Sequence, residues 1–341
     1  MAAPNITPYA NKYKFGRGRL AFNPLIGGIY QGFRPFGNCP GFEVNIEGET
    51  FEHPSSEGGI SETDFTVPLG VTRSATITTD NLDQGNQALF VAGEQVTVTQ
   101  AATPITDEVL VSVNAGRFYQ LGATAINPTG VRGVSSVVVR MKQGADAPTR
   151  ANSTPYVVGN FYVPATPNNR FYLCTISGTS AGTVPTFTTD GTTFSDGTAT
   201  FRDMGLIIVP NTADVNYRVD AGLGLLSPTE DGTIAVANTR YSAAVAGARV
   251  SLEVDYTPAA NTRSQVRTGG EQSITGQLKF IADNPTGEND DLFCPQVTLT
   301  PSGALPYITG DDIGSVEFNV GIGVLNSQTR AIYIDGRPAG L

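Results

Sequence analysis

Gly41-Phe42-Glu43-Val44-Asn45-Ile46-Glu47, and then Phe65-Thr66-Val67-Pro68-Leu69-Gly70-Val71, carry a hydrophobic period of two. Phe42, Val44 and Ile46 alternate with Glu43, Asn45 and Glu47, so a strand here turns apolar side chains to one face and polar ones to the other. The second run continues through Arg73, Ala75 and Ile77, and Pro68, which lacks an N–H, marks an edge or a bulge within it. Glu52 to Asp64, between the runs, is rich in Gly, Ser and Glu and too long for a tight hairpin. The same period returns at Val96-Val98, Val109-Val111-Val113, Val137-Val139 and Val250 to Tyr256. It appears again at Leu278-Phe280, Val297-Leu299 and Val316 to Ile322. Turn residues separate these runs at short intervals. The expected fold is mainly β: an antiparallel sandwich or barrel-like domain.

One helix is expected after the second run. Thr79-Asp80-Asn81 offers N-cap side chains, Asp83 falls in the first turn, and Gly93 serves as the C-terminal stop. Leu82, Leu89 and Phe90 form its apolar stripe, while Gly85 weakens it by about 1 kcal/mol relative to alanine. Two readings are open for it: a helix flanking the sandwich or a contact between subunits.

Composition changes near residue 148. Between Tyr156 and Phe201 lie eight of the 29 aromatic residues, with Arg170, Asp190 and Asp196 the only charges. Lys142 to Pro148 reads as a linker. The expected organisation is therefore a discontinuous β domain, residues 1–147 and 206–341, interrupted by a small all-β module at 148–205.

Charge and rare residues narrow the function. Lys and Arg total 21 against 31 Asp and Glu, a net charge of −10. A tight nucleic-acid binder needs a basic surface that displaces counterions, so that class is disfavoured. There is one histidine, His53, there are three cysteines, Cys39, Cys174 and Cys294, and there is no tryptophan. Nucleophilic or acid–base catalysis would have to use His53, which sits in a loop-like stretch without evident partners. The cysteines lack zinc-ligand spacing and cannot all pair within one chain. No apolar signal segment follows Met1-Ala2-Ala3-Pro4, so free thiols in a chain made in a reducing cytoplasm are expected. No apolar run approaches membrane-spanning length. No metal, cofactor or catalytic residue is expected.

Several local patterns carry little. Phe15-Gly16-Arg17-Gly18-Arg19 begins like a dinucleotide fingerprint but lacks the preceding strand and the third glycine. Lys12, Lys14, Arg17 and Arg19 read as a solvated or subunit-facing arm. Asp283 to Asp291 is an acidic turn without the spacing of a calcium loop.

Phe15 to Phe22, followed by Gly37-Asn38-Cys39-Pro40-Gly41-Phe42-Glu43-Val44, resembles the start of bacteriophage tail tube (major tail) proteins. The likeness continues through Glu47 to Gly59, Val71-Thr72-Arg73 to Phe90, and Ile274 to Leu305, covering roughly residues 12–100 and 245–325. It implies a β-sandwich whose copies close into rings, usually hexameric, stacked into a hollow tail tube that conducts the genome. The implied partners are further copies of itself and tape-measure, tail-terminator and baseplate or tail-tip proteins, with DNA in transit only. The implied location is the virion tail, after synthesis in the host bacterial cytoplasm. Glu52, His53, Ser55, Ser56, Glu57, Gly58, Gly59, Ile60 and Glu62 become candidates for reaching the next ring. Glu43, Glu47, Glu253, Asp255 and Glu317, on the polar phase of strands, become candidates for an acidic lumen wall that DNA slides past.

Gly178 to Phe187 and Asp196 to Phe201 resemble small β modules of phage tail proteins that are similar to carbohydrate-binding modules. On that likeness Tyr162, Tyr172, Phe187 and Phe201 are candidates for stacking on a surface glycan, and a carbohydrate-binding adhesin is the alternative function. The same aromatics also suffice as the core of so small a unit. A glycan hydrolase, the third class, lacks a marked acid pair.

Overall fold

The computed structural model describes residues 13–55, 59–269 and 274–338. It is mainly β, with 49% strand and 7% helix. All the strand pairings given below are antiparallel, and no closed barrel is formed. The chain divides into two compact units, 1–98 with 264–341 and 99–263.

The first unit is built on one large sheet. Its order is Ile29–Tyr30, Gly18–Ile26, Ile274–Ala282, Asp290–Ser302, Val316–Ile322, Thr63–Thr79 and Gly41–Pro54. The period of two becomes two faces. Leu299, Val320, Ala75 and Val44 lie in one cross-strand row, and Phe318, Ile77 and Phe42 in the next, on the face that forms the core with Leu20, Phe22 and Phe36. The opposite face carries Thr300, Asn319, Thr76 and Glu43 in register. The expected bulge is present: Glu49 pairs with Gly70 but Thr50 with Pro68, leaving Leu69 extra.

The expected helix forms one turn later than its cap residues suggested. It spans Gln84–Phe90, and Asp83 is itself the N-cap, accepting from the Asn86 N–H at 2.7 Å. Asn86 is buried and donates to the Phe36 and Asn81 carbonyls, which ties the helix entry to the sheet.

The second unit begins and ends well outside the expected 148–205 module. A four-stranded sheet of Ile208–Val209, Val134–Met141, Leu252–Pro258 and Ile105–Leu110 forms one layer. A second four-stranded sheet contains Phe161–Tyr162, Arg170–Ile176, Ala199–Leu206 and Thr193–Asp196. Phe171, Leu173 and Met204 from the latter share a core with Val113, Leu226 and Val254. Lys142 to Pro148 is not a free linker. Lys142–Ala145 is a helical turn, and a Cβ on buried Gly144 would lie 2.8 Å from the Phe171 ring.

A helix absent from the sequence reading, Thr233–Ala244, packs against this core through Ile234 and Ala237. Its inward stripe is interrupted by Asn238, whose side chain donates to the Val113 carbonyl and accepts from the Val250 N–H. A polar residue in the apolar phase hides an amphipathic pattern.

Candidate functional site

The long hairpin of the first unit is its most exposed element. Gly41–Pro54 pairs with Thr63–Thr79 along its full length, and core burial begins only at Ala75. Beyond that point the two strands are a ribbon with solvent on both faces. Ile46, Phe65 and Leu69 are 62%, 59% and 60% exposed, and Phe51 and Val71 about half exposed. The half-buried strand read from Phe42 to Ile46 and from Phe65 onward is therefore buried only at its base. Gly41–Pro54 is also the outermost strand of its sheet, so one edge has no neighbour among the described residues.

The loop candidates divide accordingly. Glu52 and His53 are strand residues, and His53 Nδ1 lies 2.8 Å from an Asp64 carboxylate oxygen. Ser55 donates its N–H to the Glu62 carbonyl at 2.6 Å, beginning the turn. Gly59, Ile60 and Glu62 are exposed at the tip, whereas Ser56, Glu57 and Gly58 lie outside the described residues.

Three of the five acidic candidates come together. Glu43, Glu47 and Glu317 are exposed on the polar face of the first unit's sheet, with Glu43 paired to Thr76, Glu47 to Thr72 and Glu317 to Thr78. Glu253 and Asp255 belong to the second unit, and their charge is already answered. Arg140 reaches Asp255 at 2.5 Å, and Lys142 reaches Glu253 at 3.0 Å. The Arg140 hydrogen bond holds the Asp255 carboxyl below its ordinary range. These two acids are members of an ion-pair network and offer no free charge to a wall.

The glycan-stacking candidates are interior. Tyr162, Tyr172 and Phe201 are fully buried, and Phe187 packs on them as a partly buried neighbour. Their rings contact one another at 4.4 to 6.3 Å between centroids. Tyr162, Tyr172 and Phe201 have no exposed ring for a sugar to stack on and are core residues of the inner module, while Phe187 is partly exposed at its margin. Beside them Arg150 and Asp196 form a buried bidentate pair at 2.8 and 2.9 Å. Asp203, also buried, accepts from Arg170 and from the Gly191 and Gly205 N–H groups. In the sequence Asp196 is marked only as one of three charges between Tyr156 and Phe201, and nothing beside Asp203 signals its burial.

The remaining patterns resolve into structure. Phe15 to Arg19 leads into the strand Gly18–Ile26, not into a helix, so it makes no phosphate cradle. In the acidic turn, Asp290 pairs with Lys14 and Asp291 with Arg337. No cluster of three or more metal-ligating His, Cys, Asp or Glu occurs among the described residues. Cys39, Cys174 and Cys294 are free thiols, and burial pushes the Cys294 thiol up to about 11.

A family model described as protein of unknown function UCP028589 matches residues 13–190. A comparison with curated proteins returned no match.

Proposed function

The chain belongs to that family, UCP028589, whose model spans more than half of its length, and we propose that it is a structural subunit of a phage tail tube. In this reading its copies close into rings, and the rings stack into the conduit for the genome. The observation that carries the reading is the exposed ribbon. An isolated two-stranded ribbon is at best marginally stable in water, and large exposed apolar side chains along one mark a surface for a partner. A contact between unlike surfaces of identical copies closes into a ring or propagates as a filament, and a tube needs both.

The charge distribution supports the same reading. Glu43, Glu47 and Glu317 share one polar, Thr- and Asn-bearing sheet face. A wall of that chemistry gives DNA no counterion-release gain and lets it pass. Tape-measure, terminator and tail-tip proteins are the partners the reading requires, and the virion tail is its location.

Negative-stain microscopy and sedimentation of the purified protein test it. Rings or tubes are expected, and the protein should be abundant in purified tails. A monomer at high concentration, together with absence from tails, ends the reading. Converting Glu43, Glu47 and Glu317 to Lys should leave assembly intact and slow genome ejection; unchanged ejection removes the lumen assignment alone.

A further inference from the structure

An apolar groove of about 930 Å³ lies at the base of the ribbon, lined by Val44, Ile46, Leu292, Val324, Ile332 and Ile334. Arg73 and Arg330 also line it. Neither guanidinium has an ion pair or hydrogen bond among the described residues. The groove is thus largely apolar, with Asn326, Ser327 and Thr329 beside two arginines that lack an ion pair and no carboxylate in its lining.

The ribbon has the opposite character. Residues 46–73 contain six carboxylates and no Lys or Arg other than Arg73. Cross-strand partners share a face, so Phe51, Val67 and Phe65 form one apolar patch toward the tip, with Glu49 next along the same face and His53, in contact with Asp64, beside Phe65.

A ribbon cannot fill its own groove. Ile46 and Arg73 are cross-strand partners at the base, and both line the groove. From that pair to Pro54 and Thr63 the strands run on for roughly 26 Å at about 3.3 Å per residue, which carries the patch away from the groove.

We propose that the groove of one copy receives the outer part of the ribbon, at Phe51 and Phe65, of a second copy. Phe51 and Phe65 enter the apolar lining, and Glu49, on the same ribbon face, meets Arg73 and Arg330. The inference rests on the assembly reading and adds which two surfaces join. Each copy gives one ribbon and accepts one, a head-to-tail contact of the kind that closes rings or extends filaments.

Charge exchange tests it, read by sedimentation velocity and negative-stain microscopy. R73E/R330E alone should need at least tenfold more protein to assemble, and so should E49R alone. Both should keep the wild-type circular dichroism spectrum and melting temperature, since neither the two guanidiniums nor the Glu49 carboxylate has an ion pair or hydrogen bond among the described residues. Mixed in equal amounts, the two variants should assemble again, because each groove then meets a ribbon of opposite charge. Replacing Phe51 and Phe65 with Ser should abolish assembly at any salt concentration. If wild-type protein assembles and R73E/R330E assembles equally well, the groove assignment is overturned while the assembly reading stands. Loss in both charge variants without rescue on mixing overturns the pairing as well. If wild-type protein never assembles, both readings fall.

Discussion

Arg150 and Asp196 show how much a single residue pair decides. Two parallel hydrogen bonds join them, and Arg150 Nη2 also donates to the Ala181 and Thr183 carbonyls. Burial by itself would raise the Asp196 pKa, but the Arg150 hydrogen bonds and the Ala181 N–H outweigh it and hold the carboxyl below its ordinary range. Removing one member of a buried pair leaves the other charge unanswered, which typically costs about 3–5 kcal/mol. Arg150→Met should therefore lower the denaturation free energy by that order, measured in urea. Arg150→Met combined with Asp196→Leu should recover much of the loss. The acid limb follows from the same sign. A carboxyl with a lower pKa folded than unfolded contributes its full stability above the unfolded value and loses it as pH falls through the folded one. Melting temperature should thus fall below about pH 4, and Asp196→Asn should flatten that fall.

At the scale of elements, the turn Lys142–Ala145 is where composition misleads. A run of Lys, Gln, Gly, Ala, Asp and Pro has the look of a hinge, yet Gly144 is buried between the Phe171 ring and Ile207. Gly144→Ala should destabilise the second unit by about 1–3 kcal/mol, as overpacking of a filled core does. In a true linker the same change would be neutral or slightly stabilising. Thermal melts of the two proteins separate these outcomes. Asp83 makes the complementary point. Several polar residues before an apolar stripe can each cap a helix, and the one used is Asp83, whose carboxylate meets the Asn86 N–H. Neighbouring Thr79 and Asn81 are engaged elsewhere, both hydrogen-bonded to the Phe36 carbonyl.

For the whole molecule, the ribbon separates folding from assembly. Its described side chains from Ile46 to Val71 contribute nothing to the buried core, which draws on Ala75 and Ile77 instead. Replacing residues 49–70 with an Asn-Gly turn, which joins the cross-strand pair Gly48 and Val71, should leave a folded monomer with an unchanged melting profile that forms no rings or tubes. Unfolding of the shortened chain, or assembly as before, would contradict the division of labour.

Alternation along the chain was enough to place antiparallel strands within Gly41–Pro54, Thr63–Thr79, Leu252–Pro258, Ile274–Ala282 and Val316–Ile322, because side-chain direction in a strand is a local property, but it took Glu52 to Asp64 for a loop where both strands run on to Pro54 and Thr63. Pro68 also marked an edge or a bulge, since a missing N–H is read directly from the residue, and the pairing decides for a bulge. Which strands have neighbours is not local. Ile46 and Phe65 alternate as regularly as Val44 and Ile77, yet the first two face solvent and the second two face the core. Whether a carboxylate is free is not local either: Glu43 and Glu253 both occupy strands, but Lys142, more than a hundred residues away, neutralises only Glu253. The tertiary structure settled burial, ion pairing and the extent of each unit, because all three depend on contacts between residues far apart in the chain.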